Sequence, residues 1–259
     1  MNAQDKELWQ LRSKLYAFFG NSLLKIITEQ TALTLAPAFW QDFPLEPANE
    51  QMEQGLAGLL SCTQALSALS RDKAIERVGV EYTRLFIGPG APAAPPWETL
   101  YREGGTVLFG QPTIDLKKLF AARGLKASAE SHQFEDHLGF ELLYLGICGK
   151  DLIKTPPFAA ACARLSAGSS AAAHAEPSAE LRAQQAAFIH EHPLSFIGRL
   201  WEKAHAATEL PAAPAAAPAA APASSLPGYY PALIKLIWGF LLWDLELLAG
   251  SGQRGTTAA

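Results

Sequence analysis

The chain of 259 residues has few cysteines and no excess of basic residues. Its three cysteines, Cys62, Cys148 and Cys162, form no Cys-x-x-Cys pair, which argues against a disulfide framework and against a cysteine-based zinc site. The 21 Lys and Arg residues are outnumbered by 25 Asp and Glu residues, which gives a net charge of −4. Nucleic-acid-binding proteins normally carry a basic excess, so this class is excluded, and the free thiols favour a reducing compartment, the cytoplasm.

Long apolar runs are also missing. The most apolar segment, Leu236 to Trp243, is eight residues long, whereas a membrane-spanning helix needs about 20. The first seven residues are polar and lack the basic start and apolar run of a signal peptide. We therefore expect no transmembrane segment, and we interpret the apolar segment as a buried helix of a cytoplasmic protein.

Sequence motifs of common catalytic sites are absent as well. No serine lies in a G-x-S-x-G turn, and no cysteine neighbours a basic group that would activate it. The Gly-Pro-rich loop after residue 87 lacks the lysine and the glycine spacing of a phosphate-binding loop. The residues thus predict no catalytic group and no bound cofactor.

What the chain does contain is helical periodicity, with apolar residues at three- and four-residue steps. The sequence predicts an all-α fold, a helical bundle, and no alternating strand pattern is evident. Thr113 is predicted to cap one helix, and Pro193 to interrupt another. The predicted helices cover roughly residues 8–19, 56–69, 75–85, 113–123, 134–145, 181–207 and 230–248.

Two alanine-rich stretches interrupt the helical pattern. Residues 166–178 are rich in Ala, Ser and Gly, and residues 211–223 have proline at every third or fourth position, which prevents a stable helix. We predict one helical domain formed by residues 1–210 and 227–250. Residues 211–226 are predicted to be a flexible linker and residues 251–259 a disordered tail.

An acidic motif lies at the start of the predicted fifth helix. Glu135 and Asp136 suit the positive end of a helix dipole, and His137 and Glu141 lie four residues apart on one face, as metal ligands often do. A helical metalloenzyme using Asp136, His137 and Glu141 is therefore one alternative, although no second histidine pair is present. Gly139 inside a helix indicates that another helix or a ligand approaches the backbone closely.

The loop after the third helix carries two aromatic residues. Trp97 and Tyr101 follow a proline-rich run, and they either pack on the bundle or form a rigid wall for an apolar peptide. The residues alone leave both interpretations open.

Taken in order, these motifs resemble the TorD/DmsD family of chaperones for molybdenum-cofactor reductases. The motifs are Glu81–Pro89, Pro95–Glu98, Val107–Gly110 and Glu135–Gly139, and the stretch 188–196 resembles a later family signature. Some relatives place a tryptophan where this chain has Gly90.

The resemblance implies a cytoplasmic, all-helical chaperone without catalytic activity. Such a protein binds the twin-arginine signal peptide, or leader, of a reductase precursor of the dimethyl sulfoxide/trimethylamine N-oxide reductase type, and holds the apo form until molybdopterin is inserted. Asp136, assisted by Glu135, would pair with a leader arginine. The residues implied in signal-peptide binding are Trp97, Tyr101, Gly110, Glu135, Asp136 and His137.

A second alternative is the NarJ branch, whose clients are nitrate reductases that need not be exported. The Pro95-Pro96-Trp97 loop and the Glu135–Gly139 motif favour the TorD/DmsD branch instead. The chain is expected to be a monomer, although the linker before the last helix would also permit exchange of that helix between two chains.

Overall fold

Helices make up most of the chain. The computed structural model describes residues 3–102, 108–127, 132–154, 177–209 and 228–250, and no residue in these ranges belongs to a β-strand, which confirms the all-α prediction. Within these ranges no helix has the length and apolar character that a membrane span requires. The α-helices are α1 (Ala3–Leu24), α2 (Pro37–Gln41), α3 (Glu50–Leu66), α4 (Arg71–Tyr82), α5 (Gln111–Ala122), α6 (Leu138–Lys154), α7 (Pro177–Glu191), α8 (Pro193–Glu209) and α9 (Tyr229–Leu248).

Short helical segments of other kinds join some of these helices. Ala32–Leu35 and Glu98–Tyr101 are 3₁₀-helices. Thr83–Ile87 is a π-helical segment that continues α4 and ends at Gly88, whose φ of 74° is in the left-handed region that glycine tolerates best. Gly88 therefore stops this helix.

The predicted helix boundaries are confirmed in part. The interruption at Pro193 is confirmed, because α7 ends at Glu191 and α8 begins at Pro193. The predicted cap at Thr113 is wrong, since α5 already begins at Gln111 and Gly110 holds the N-cap position. Thr113 is instead a buried residue inside α5.

The chain divides into two compact units. The first comprises Met1–Leu24, Phe109–Pro193 and Asp244–Ala259, and the second comprises Lys25–Leu108 and Leu194–Trp243. The predicted linker 211–226, the predicted tail 251–259 and nearly all of the alanine-rich stretch 166–178 lie outside the described residues. The single-domain interpretation stays a prediction.

In the first unit, α1 and α6 pack against each other through two glycines. A Cβ atom placed on Gly139 would lie 2.8 Å from the backbone oxygen of Gly20 and 2.6 Å from Cγ of Leu24. A Cβ atom placed on Gly20 would lie 2.7 Å from the backbone oxygen of Gly139. The predicted close approach at Gly139 is therefore confirmed, and the approaching element is a helix.

A buried ion pair links the two ends of the chain in the same unit. Arg12 on α1 pairs with Asp244 on α9, donating from Nη2 to Oδ2 over 2.7 Å, and both side chains are fully buried. The hydroxyl of Tyr16 donates to the same carboxylate oxygen over 2.6 Å. The Nε atom of Arg12 donates to the other carboxylate oxygen, Oδ1. Three donors, two from Arg12 and one from Tyr16, thus compensate the buried carboxylate of Asp244.

In the second unit, side chains from α3 and α4 fix α9. Asn49 caps α3 by accepting the backbone N–H of Met52 over 3.0 Å, and its amide nitrogen donates to the carbonyl of Gly239 on α9 over 2.9 Å. Glu81 on α4 accepts the backbone N–H groups of Tyr229 and Tyr230, over 3.2 Å and 2.8 Å. Glu81 therefore caps the first turn of α9 from a distance of almost 150 residues along the chain.

Candidate functional site

The acidic motif lies just before α6, and His137 fixes the start of that helix. The Nδ1 atom of His137 accepts the backbone N–H of Gly139 over 2.9 Å, so the imidazole satisfies one of the free amides of the first turn. Burial lowers the pKa of His137 to about 3, so the ring is neutral near pH 7 and can act as an acceptor.

The two carboxylates that flank His137 in the metalloenzyme hypothesis are buried. Asp136 and Glu141 have no solvent-accessible surface, and His137 is 1% exposed. Within the part of the chain that the structure describes, no group of three His, Cys, Asp or Glu side chains is arranged to hold a metal ion.

Glu135 is half-buried, whereas Asp136 and His137, which follow it, are fully buried. It directly follows Phe134, whose ring contacts that of Phe109 edge to face with centroids 5.8 Å apart. Phe109 is 51% exposed, and Gly110 comes directly after it at the N-cap of α5. We call Phe109, Gly110, Phe134 and Glu135 the Phe109–Glu135 surface.

Chemically, this surface of the first unit combines an apolar area with a carboxylate. An exposed aromatic ring of this size contributes apolar contact area at a small cost in conformational entropy. A half-buried carboxylate such as that of Glu135, which follows Phe134 in the chain, can accept two parallel hydrogen bonds from a guanidinium group. The Phe109–Glu135 surface is thus suited to bind a peptide segment that has an arginine next to apolar residues.

Trp97 and Tyr101 belong to the second unit, at the 3₁₀-helix after the proline-rich loop. Trp97 is half-buried, but Tyr101 is only 3% exposed, and its ring packs against Phe196 with centroids 5.4 Å apart. The cations of Arg199 and Lys203 lie over the Tyr101 ring, 5.8 Å and 4.6 Å from its centroid. Burial raises the pKa of Tyr101, so its hydroxyl stays neutral.

The six predicted site residues therefore fall into two groups. Gly110, Glu135, Asp136 and His137 belong to the first unit, and Trp97 and Tyr101 belong to the second. Gly110 and Glu135 each directly follow one of the two phenylalanines whose rings are in contact.

The sequence pattern does not indicate the contact between the two phenylalanines or the role of Glu81. Phe109 and Phe134 each precede a predicted site residue directly, and that adjacency was the available signal. Glu81 is the first residue of one family motif, but its partners lie at the start of α9 and no local pattern indicates them.

The fold and the described surfaces define the class as an all-α protein with helices in two compact units. A family model described as nitrate reductase delta subunit matches residues 46–202, which is more than half of the chain. The chain belongs to this family.

The chain is also similar to curated proteins whose names are more specific than the description of the family. The chain is 32% identical over 78 residues to the Tat proofreading chaperone DmsD of Salmonella typhi, a match that covers 30% of this chain and 38% of that protein. It is 24% identical over 153 residues to the chaperone protein TorD of Psychrobacter sp., covering 55% of this chain and 66% of that protein. For the TorD of Shewanella sp., the identity is 27% over 142 residues, covering 54% of this chain and 63% of that protein.

These names confirm the resemblance to the TorD/DmsD family. They describe chaperones, which agrees with the prediction that the chain is not an enzyme. The matches span between 38% and 66% of the length of these relatives.

Proposed function

We propose that this protein is a cytoplasmic chaperone that binds the twin-arginine leader of a molybdoenzyme precursor of the dimethyl sulfoxide/trimethylamine N-oxide reductase type. It holds the apo-reductase until its cofactor is inserted and export can begin. Support comes from the family match and from relatives named as chaperones. The structural observation that carries the proposal is the contact between the exposed ring of Phe109 and the ring of Phe134, the residue directly before the half-buried Glu135.

The leader and the Phe109–Glu135 surface have complementary chemistry. A twin-arginine leader carries two arginines followed by an apolar stretch. The carboxylate of Glu135 would bind one guanidinium through paired hydrogen bonds, which sets the register of the peptide. The first apolar residues after the arginines would then cover Phe109, and this burial would supply most of the affinity.

The other predicted site residues have different roles in this proposal. Asp136 and His137 are buried, so we assign them to shaping the start of α6, which holds Glu135 in place. Gly110 directly follows Phe109 at the N-cap of α5 and has no side chain of its own. Trp97, which is half-buried, offers a contact of its own in the second unit. Tyr101 is 3% exposed and packs against Phe196, so we assign it to the core of that unit.

Paired substitutions in the first unit test the assignment. Glu135→Gln and Phe109→Ala should each weaken leader binding about tenfold, because each removes one central contact. The matched controls Glu180→Gln and Ile147→Ala change exposed residues of α7 and α6 and should leave the affinity within about twofold. Calorimetric titration with the leader peptide measures all four dissociation constants, and equal affinities for variants and controls would reject the Phe109–Glu135 surface.

A nitrate reductase assembly chaperone is the second candidate, and the description of the matching family favours it. Its client segment would be the N-terminal peptide of a nitrate reductase that is not exported. Titration with such a peptide distinguishes the two candidates, since only the twin-arginine leader should lose affinity when its arginines are replaced. The working form in both cases is proposed to be the monomer.

A further inference from the structure

The backbone of His132 differs from that of every other non-glycine residue in the described part of the chain. Its φ of 50° lies in the left-handed region, and the other described residues with such a φ are glycines. A Cβ atom makes this conformation costly, although histidine adopts it more often than most residues do. The side chain of His132 is exposed, so burial of the imidazole does not account for the conformation. Strain of this kind persists where the surrounding structure imposes it, and it is common at functional sites.

His132 lies two residues before Phe134, whose ring contacts that of Phe109. Because φ and ψ are the only soft backbone torsions of a residue, a change of φ at His132 redirects the chain that follows it. An ordinary negative φ at this position would turn Phe134 away from the direction that brings its ring to Phe109. The left-handed conformation is therefore part of the geometry of the Phe109–Glu135 surface.

The chain after Phe134 is fixed by hydrogen bonds at the start of α6. The carbonyl of Phe134 accepts the backbone N–H of His137 over 3.1 Å, and Nδ1 of His137 accepts the backbone N–H of Gly139 over 2.9 Å. Asp136, between them, is fully buried. The segment that carries Phe134 and Glu135 is thus held on the side of α6 by these contacts, and the backbone of His132 determines how the chain enters it.

We propose that His132 is a positioning residue of the Phe109–Glu135 surface, and that its left-handed backbone directs Phe134 against Phe109 and presents Glu135 to the peptide. The backbone conformation performs this task, and the imidazole does not contact the peptide. The consequence for peptide binding rests on the proposed function, whereas the positioning of Phe134 is a property of the free protein and can be measured without a leader.

Four substitutions separate the backbone conformation of His132 from its side-chain chemistry. His132→Asn and His132→Gly introduce residues that adopt a positive φ readily, His132→Ala adds a moderate cost, and His132→Val places a β-branched residue where it is least tolerated. We expect leader affinities within about twofold of the wild type for Asn and Gly, an intermediate affinity for Ala, and an affinity at least about fivefold weaker for Val.

Nuclear Overhauser cross-peaks between the rings of Phe109 and Phe134 measure the positioning in the free protein. The ring centroids are 5.8 Å apart and the rings meet edge to face, so cross-peaks should be present in phenylalanine-labelled wild type, His132→Asn and His132→Gly. They should be weakened in His132→Ala and lost in His132→Val. His190→Val is the matched control, because it makes the same change at an exposed histidine within the helical backbone of α7, and it should alter neither cross-peaks nor affinity.

Circular dichroism of each variant checks that the helices are retained, and His132→Ala with its smaller cost decides the test if His132→Val does not fold. Cross-peaks that persist unchanged in both of these variants would overturn the proposal. So would their loss in His132→Asn and His132→Gly, since that result would assign the positioning to the imidazole. If the wild-type chain binds no leader, the proposed function is contradicted, and the cross-peaks alone then decide whether His132 positions Phe134.

Discussion

At the residue scale, His137 has a structural task that its sequence motif does not reveal. A histidine beside two acidic residues is an obvious candidate for a metal ligand or a charged contact. In the structure it is buried, and it accepts the backbone N–H of Gly139 at the start of α6. Only the neutral imidazole can accept this hydrogen bond, and burial keeps it neutral by lowering its pKa to about 3.

Replacing His137 should change how stability depends on pH. Below about pH 6.5 the unfolded chain binds a proton at this histidine that the folded chain does not bind until about pH 3. Stability is therefore lost as the pH falls through this window, by roughly 3 kcal/mol at pH 4. In His137→Asn, whose side-chain oxygen can still cap α6, we expect this loss to disappear.

Urea unfolding at pH 7 and pH 4 measures this effect as a difference between the wild type and His137→Asn. His190→Gln replaces an exposed histidine of α7 and should retain the pH dependence of the wild type. The interpretation of His137 is wrong if the wild type and His137→Asn lose the same stability between the two pH values.

Asp244 is the second residue whose environment decides its role. It is fully buried and accepts hydrogen bonds from Arg12 and Tyr16. Asp244→Asn leaves the guanidinium of Arg12 without a counter-charge, so we expect the free energy of unfolding to fall by about 3–5 kcal/mol. The double variant Arg12→Met with Asp244→Leu should recover much of that loss, because it removes both charges together.

Thermal or urea unfolding of the single and double variants completes this test. A double variant that is less stable than Asp244→Asn would show that the ion pair itself, rather than its imbalance, determines the stability. Such a result would contradict the interpretation of Asp244 as a compensated buried charge.

The sequence identified the acidic motif but could not separate its members by burial. Glu135 and Asp136 are adjacent carboxylates, and only the structure shows that Glu135 is half-buried while Asp136 is fully buried. The burial of these two side chains depends on residues that are distant in the sequence and pack against the loop, and the local sequence pattern does not indicate those residues. The same reason explains why the contact between Phe109 and Phe134 was not predicted.

At the scale of elements, the crossing of α1 and α6 determines the core of the first unit. The backbones approach each other at Gly20 and Gly139, where neither helix has room for a Cβ atom. The atoms nearest to the missing Cβ of Gly139 include a backbone oxygen, which cannot move aside as a flexible side chain can.

Gly139→Ala should therefore destabilise the protein by about 1–3 kcal/mol, although alanine is the better helix former. Gly79→Ala is the matched control, because it makes the same change inside a helix where only an exposed side chain is near. Denaturant unfolding of both variants should give shifts of opposite sign, or no shift for Gly79→Ala. A Gly139→Ala variant as stable as the wild type would contradict the close crossing.

Most helices could be predicted because their apolar periodicity is a local property of the sequence. The interruption at Pro193 and the stop at Gly88 follow from backbone chemistry that acts at one residue. Helix α2 was not predicted because five residues contain too little periodicity to recognise. The π-helical segment Thr83–Ile87 was read as a continuation of α4, since a helix with a wider turn has no pattern of its own.

At the scale of the whole molecule, the chain alternates between its two compact units. The first unit collects segments from the beginning, the middle and the end of the sequence. The single helical domain stays a prediction, and long-range pairs such as Arg12 with Asp244, which join the two ends of the chain within the first unit, leave no local trace in the sequence. The family could be recognised because its motifs keep their order along the chain, and that order can be read without the fold.

The central claim is that this protein binds a twin-arginine leader, and calorimetric titration of the wild-type chain tests it most directly. The titrants are leader peptides of several molybdoenzymes, each paired with a copy in which both arginines are replaced by alanine. We predict dissociation constants of about micromolar or below for one leader, and binding at least tenfold weaker for its alanine copy. No binding to any leader, or equal binding of a leader and its alanine copy, would contradict the claim.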